Sequence, residues 1–122
     1  MIQEDYVSFE VAKLLKEKGF DEKCSRWYVA NEPQEGLVAS GFGENQFYIN
    51  APTHQMAMKW LREVHNIFIE INTSIDLNGK YHFSYTILDK ECKYVVKVCR
   101  DPNWNYEEAA EVAIKYCLEN LI

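Results

Sequence analysis

The sequence lacks the features that would direct the chain into or across a membrane. Its first residues read Met-Ile-Gln-Glu-Asp, without the basic start and apolar run of a secretory signal. No stretch approaches the roughly 18 consecutive apolar residues that a membrane-spanning helix needs. We therefore expect a cytoplasmic protein that has no membrane partner.

The sequence also lacks the spacings by which metal sites are recognised. No pair of cysteines is separated by two residues, as in many zinc and redox motifs. The cysteines and histidines are scattered: Cys24, Cys92, Cys99, Cys117, His54, His65 and His82. In a reducing cytoplasm the expectation is four free thiols, and we expect no metal and no cofactor.

Positive charge is sparse, and it is not clustered. The formal net charge is −6, which disfavours contact with phosphate backbones unless basic residues form a patch. The densest basic stretch, residues 13–26, is interrupted by Glu17, Asp21 and Glu22. The sequence therefore predicts no nucleic-acid partner.

What is present suits one globular α+β domain over residues 1–122. Hydrophobic residues make up 48% of the chain and charged residues 26%, which is ordinary usage for a domain that buries a core. Periodicity and turn signals predict the order α-β-β-α-β-β-β-α. We expect an antiparallel sheet with helices on one face.

Each predicted helix carries a capping signal. Ser8 and Thr53 are suitable N-caps for the first two helices, and Gly19 suits a left-handed ending of the first. Asn105, with Glu108 three residues later, matches a capping box at the last helix. Between the first two helices, residues 26–30 and 46–50 read as short strands that can pair as a hairpin.

The central hairpin offers two registers. A two-residue turn at Asn78-Gly79 would place Ile71 opposite Thr86 and mix apolar with polar faces. A three-residue loop, with Gly79 in the left-handed bulge position, instead places Ile71 opposite Tyr85. We favour the bulged loop, because a slip of one residue exchanges the two faces of a strand.

A third strand is predicted after a turn at Lys90 and Glu91. Matching of apolar faces pairs Ile87 with Tyr94. The same register places Tyr85 opposite Val96, Phe83 opposite Val98 and His82 opposite Cys99.

Two groups on the outer face of this sheet are candidate sites. Phe68 is expected to face Leu88, with Val95 diagonal to Leu88, and these three form a candidate partner surface. The alternative is that aromatic rings of the first hairpin (Trp27, Tyr28 or Tyr48) fold over them.

The second group is the cross-strand pair His82 and Cys99, a weak alternative dyad. On a flat sheet this pair lacks the pocket and the orienting third group that nucleophilic catalysis requires, so we assign no catalytic residue and no metal ligand.

The order helix, strand, strand, strand, helix over residues 53–121 resembles the double-stranded-RNA-binding domain. That family grips phosphates with lysines at the start of its final helix. The matching stretch here carries Glu107, Glu108 and Glu111. The resemblance therefore implies an architecture, while the charge disfavours RNA binding.

A second resemblance is to small uncharacterised proteins of anaerobic gut bacteria, some associated with prophages or mobile elements. It is carried by three stretches: EDYVSFEVAKLLKEKGFDEKC, APTHQMAMKWLREVHNIFIEI and YEEAAEVAIKYCLENLI. This resemblance implies a bacterial source. It implies no activity, and it transfers no functional residue.

The function hypothesis that these observations favour is a non-enzymatic protein-binding or adaptor domain, with a homodimer as one form of it. One alternative is a small hydrolytic or transferase-type enzyme with an unrecognised site. Another is nucleic-acid binding in a fold like the double-stranded-RNA-binding domain. Whether the protein takes a small-molecule ligand stays open.

Overall fold

In the part of the chain that the structure describes, three helices and five strands follow one another in the predicted order. The computed structural model describes residues 2–32, 34, 36–38, 47–88 and 95–122, with the backbone alone for residues 95–99. The elements are α1 (Phe9–Glu17), β1 (Trp27–Val29), β2 (Tyr48–Asn50), α2 (His54–His65), β3 (Phe68–Ile75), β4 (Tyr81–Leu88), β5 (Val95–Arg100) and α3 (Tyr106–Asn120). The predicted turn at Lys90 and Glu91 lies outside the described residues.

The helices begin where their capping residues predict. The Ser8 hydroxyl accepts a hydrogen bond from the Val11 amide, and the Thr53 hydroxyl does the same for Met56. The capping box of Asn105 and Glu108 is complete. These side chains satisfy amides that would otherwise lack a partner in the first turn of each helix.

The C-terminal end of α1 has the predicted left-handed glycine. Gly19 has a φ of 97°, and the amides of Gly19 and Phe20 donate to the carbonyls of Lys16 and Leu15. This is the Schellman arrangement, in which the chain reverses and its next apolar residue packs back on the helix. Phe20 is buried as a result.

The central hairpin has the bulged register. Ile71 lies opposite Tyr85 and Ile69 opposite Ile87. Gly79 has a φ of 80°, and its amide donates to the carbonyl of Asp76. Both predictions for this hairpin are confirmed, because only this loop keeps the apolar faces together.

The predicted register of the third strand is wrong by three residues. Cys99 lies opposite Tyr85 and Lys97 opposite Ile87, with an irregularity between Ile87 and Leu88. The physical reason is that apolar residues occur at both odd and even positions of this strand. Matching its apolar face to that of β4 therefore does not select one register.

The helices are arranged about α3. Helices α2 and α3 pack on the same three-stranded sheet, β3-β4-β5, whereas α1 packs on α3 and strand β2 packs on α1. Strands β1 and β2 form a separate antiparallel pair. One core cluster contains buried residues from Val7 to Leu118, so both halves of the chain contribute to it. Within the described residues, no helix is long and apolar enough to cross a membrane.

Candidate functional site

The weak dyad of His82 and Cys99 is not formed. Cys99 pairs along the backbone with Tyr85, three positions from His82, because the register of β5 differs from the predicted one. The imidazole of His82 instead donates from Nε2 to the Asp76 carboxylate at 2.8 Å. His82 therefore belongs to the turn of the central hairpin.

This turn is organised by the Asp76 carboxylate. One of its oxygens accepts from His82 and the other from the amides of Asn78 and Lys80. The hydrogen bond from His82 and that from the Lys80 amide lower the pKa of Asp76. These hydrogen bonds account for the geometry of the loop.

The structure describes two of the three side chains of the predicted partner surface. Phe68 lies opposite Leu88 as expected, and Val95 lies directly opposite Leu88 along the backbone rather than diagonal to it. Phe68 and Leu88 are half-buried, and neither packs against the core cluster formed by the described residues. The Val95 side chain lies outside the described part of the chain, so the described surface consists of the Phe68–Leu88 pair.

The aromatic rings of the first hairpin are engaged elsewhere. Trp27 stacks on Tyr48 with ring centroids 5.6 Å apart. Tyr28 makes an edge contact with Phe9, and its hydroxyl donates to the carbonyl of Val7 at 2.8 Å. The Phe9 contact places the Tyr28 ring with α1, the Trp27 and Tyr48 rings contact each other, and α2 and α3 are the elements that pack on the large sheet. They disfavour the alternative in which this hairpin covers Phe68.

A polar network, absent from the sequence-based site predictions, joins the three helices through the buried His54, the half-buried Glu111 and the exposed Ser8. The Glu111 carboxylate of α3 accepts a hydrogen bond at 2.9 Å from Nε2 of His54, the first residue of α2. The amide of Ser8, the N-cap of α1, lies 3.3 Å from each Glu111 oxygen. One carboxylate therefore links the starts of two helices to the middle of the third.

The ionisation of Glu111 follows from these bonds. Burial alone would raise the pKa of the carboxyl, but hydrogen bonds from His54 and Ser8 outweigh it, and the pKa lies below its ordinary value. Since a carboxylate only accepts, Nε2 of His54 carries the proton. Burial, with a smaller contribution from the Glu111 charge, raises the pKa of nearby Tyr28.

The order of groups in this network is that of a structural hub. Glu111 lies between the imidazole and Ser8, and among the described residues no hydrogen bond joins His54 to Ser8. A base that activates a serine must itself contact the hydroxyl, and the Ser8 hydroxyl already caps α1. The hub fixes the mutual positions of the helices.

A cleft of about 440 Å³ opens beside the hub. Its lining consists of Tyr6, Ser8, His54, Trp104, Asn105, Glu107, Glu108, Glu111 and Val112. The Glu108 carboxylate accepts a hydrogen bond from the Asn105 amide in the capping box. Among the described residues, no group of three or more metal-ligating side chains could hold a metal ion. The cleft follows from how α3 meets the starts of α1 and α2.

Sequence reasoning missed the hub because its parts are far apart in the chain. His54 and Glu111 are separated by 57 residues, and Ser8 is recognisable in the sequence only as a helix start. The one local signal is that Glu111 directly follows a buried alanine, Ala110, beside the apolar face of α3. A carboxylate at that position needs a partner from another element.

The fold and site define an α+β protein in which α2 and α3 pack on a three-stranded antiparallel sheet and α1 packs on α3. In comparisons with known proteins, no family model, no curated protein and no solved structure matches this chain.

Proposed function

We propose that this protein is a non-enzymatic protein-binding or adaptor domain of the cytoplasm, which binds through the outer face of its large sheet. The observation that carries the proposal is the Phe68–Leu88 pair, two half-buried apolar side chains that do not pack against the core of the described part of the chain. A small apolar centre on an otherwise polar sheet is the usual composition of a protein-binding surface.

The polar surroundings of the pair support the same proposal. Exposed Glu70 and Asn72 follow Phe68 on the same face of β3, and the Asn72 amide donates to the Thr86 hydroxyl at 2.9 Å. These groups form a hydrogen-bonding rim beside the apolar pair. A partner that covers Phe68 and Leu88 would exchange water for contacts with this rim.

The proposal is tested with Phe68→Ser, compared with Leu77→Ser as the matched control. Leu77 is a fully exposed apolar residue at the hairpin tip, away from the Phe68–Leu88 pair. We expect wild type and Leu77→Ser to capture the same proteins. Phe68→Ser should bind those proteins at least about tenfold more weakly, which is the loss expected for one buried anchor residue. Quantitative capture, followed by calorimetry with the purified partner, measures this loss.

The stability of the same variants separates an interface from a core. Because Phe68 is half-buried and lies outside the core cluster, Phe68→Ser should cost no more than about 1 kcal/mol of unfolding free energy. A cost near 3 kcal/mol, with unchanged capture of every partner, would show that Phe68 is a core residue and would end the proposal.

A further expectation is that nucleic acids do not bind. The start of α3 carries Glu107 and Glu108, with Glu111 one turn later, where the double-stranded-RNA-binding domain carries lysines. Fluorescence titration with RNA and DNA duplexes near physiological salt should show nothing tighter than about 10⁻⁴ M, the weak end of non-specific affinity. Micromolar binding that weakens steeply with added salt would contradict this.

A further inference from the structure

Strand β3 is one edge of the large sheet. The strand order is β3-β4-β5, so β4 occupies one side of β3 and no strand of the described part of the chain occupies the other. β3 spans eight residues, and its last four, Asn72 to Ile75, are all exposed. A strand of this length with a free edge presents a row of unpaired backbone groups.

The hairpin geometry identifies which backbone groups face outward. The Asp76 amide donates to the Lys80 carbonyl at 2.9 Å, and hydrogen-bonded pairs alternate along an antiparallel ladder. Even-numbered residues of β3 therefore bond to β4. The amides and carbonyls of Ile69, Ile71 and Thr73 point to the free edge.

The edge lacks the devices by which proteins prevent strand pairing. It contains no proline, lysine or arginine, and Glu70 is its only charged residue. The ladder between β3 and β4 runs without an irregularity from Phe68 to Ile75. Bulges, prolines and charges are the usual protections of an exposed edge, so this edge is open to another strand.

We infer that the β3 edge pairs antiparallel with β3 of a second copy of this chain, which joins two three-stranded sheets into one of six strands. The inference rests on the proposed function as a protein-binding domain and names one partner for its sheet. Symmetric strand pairing is a frequent solution for homodimers, because the same edge serves both partners.

The charges of the edge select the register. A two-fold axis at Glu70 would place the two Glu70 carboxylates opposite each other, and an axis at Thr73 would place Glu70 opposite Asp76. Axes at Ile71 or Asn72 avoid both repulsions and place Glu70 opposite Asn72 or Ser74 of the second copy. The edge is thus complementary to itself in two neighbouring registers.

Exposed apolar surface also favours a second copy as the occupant. Ile75 is 60% exposed. With the axis at Asn72 it lies opposite the half-buried Ile69 of the other chain, and with the axis at Ile71 it lies opposite the buried Ile67. Stable dimers bury about 800 Å² per partner, more than one strand edge supplies, so the pairing should be reversible and of micromolar or weaker affinity.

Sedimentation velocity from low micromolar to near-millimolar protein tests the inference. Wild type should show a reversible monomer–dimer equilibrium. Thr73→Pro removes an amide that faces the free edge and leaves the bonds to β4 in place, so it should weaken the dimer at least about tenfold, while Leu77→Ser leaves it unchanged. A wild type that stays monomeric throughout, or a Thr73→Pro dimer of wild-type affinity, overturns the inference.

Two substitutions at Asn72 keep the test decisive if Thr73→Pro fails to fold. Asn72→Asp places a carboxylate opposite the identical new carboxylate of the other chain with the axis at Asn72, or opposite its Glu70 with the axis at Ile71. In either register it should weaken the dimer about tenfold at low salt and less at high salt. Asn72→Lys should strengthen the dimer with the axis at Ile71 and weaken it with the axis at Asn72. An affinity that neither substitution changes contradicts pairing in both registers.

The two proposals fail separately. If captured proteins bind Phe68→Ser as well as wild type, the proposed use of the outer face is wrong, but sedimentation of the purified chain still reports on the β3 edge. If the purified chain is monomeric, the edge inference is wrong, and the capture experiment still reports on Phe68.

Discussion

Replacement of Tyr85 by alanine is expected to lower the free energy of unfolding by about 3–5 kcal/mol. Tyr85 is 1% exposed and lies in the central strand of the large sheet. Its ring stacks on Trp104 with centroids 5.7 Å apart, and it lies opposite Ile71. Removing the ring leaves a cavity between the sheet and the helices that these neighbours cannot fill.

The matched control for this substitution is Tyr81→Ala. Tyr81 is on the same strand and has the same side chain, but it is 61% exposed, so its loss should change the unfolding free energy by no more than about 0.5 kcal/mol. Urea denaturation of both variants measures the difference. Equal losses for the two tyrosines would contradict the placement of Tyr85 in the core.

Replacement of Glu111 by alanine is expected to cost about 2–3 kcal/mol, because the variant leaves His54 and the Ser8 amide without their charged acceptor. A double-mutant cycle with His54→Ala isolates the interaction free energy between Glu111 and His54, which we expect to be about 1–2 kcal/mol. Glu119→Ala, an exposed glutamate of the same helix, is the control and should be nearly neutral. Additive effects of Glu111→Ala and His54→Ala would rule out the hub.

The contribution of the Glu111 charge should depend on pH in a defined direction. The folded-state pKa lies below the ordinary value of 4.5, so ionisation stabilises the fold above that pH, and the benefit is lost as pH falls through the folded-state pKa. Glu111→Gln lacks this charge. Its deficit relative to wild type in urea unfolding should therefore be constant near neutral pH and shrink below about pH 4.5.

Local signals predicted much of this fold. Ser8, Thr53 and Asn105 mark helix starts because a short polar side chain can satisfy amides of the first turn without help from distant residues. The hairpin register was predictable for a similar reason: Gly79 supplies the one left-handed residue that the loop needs. Alternating isoleucines along β3 then exclude the competing register.

The predictions failed where the deciding contact is distant. In β5, valines occupy both odd and even positions (Val95, Val96 and Val98), so the alternation of apolar residues does not determine its register. The His82–Cys99 dyad depended on the predicted register and is wrong for the same reason. Val64 follows the buried Trp60 and Leu61 at helical spacing on α2, yet it is 56% exposed. The chain turns at Asn66 in the left-handed region, and Ile67 enters the core instead.

The hub belongs to a third category, in which each part was visible and the assembly was not. In the sequence, His54 is one of three scattered histidines and Glu111 is a charge unfavourable to RNA binding. Their hydrogen bond exists because α2 and α3 pack side by side on one sheet. Such packing follows from the whole core, which no local pattern of residues encodes.

The packing of α1 on α3 has a consequence for how the protein is made. Ser8 and Glu111 are 103 residues apart, and a ribosome that adds roughly 5–20 residues each second takes on the order of ten seconds to cover that distance. For this interval Val7, Val11 and Leu15, which are fully buried in the finished protein, have no α3 to pack against. The apolar side of the first helix is therefore exposed during translation, and it is there that a chaperone would act on the nascent chain.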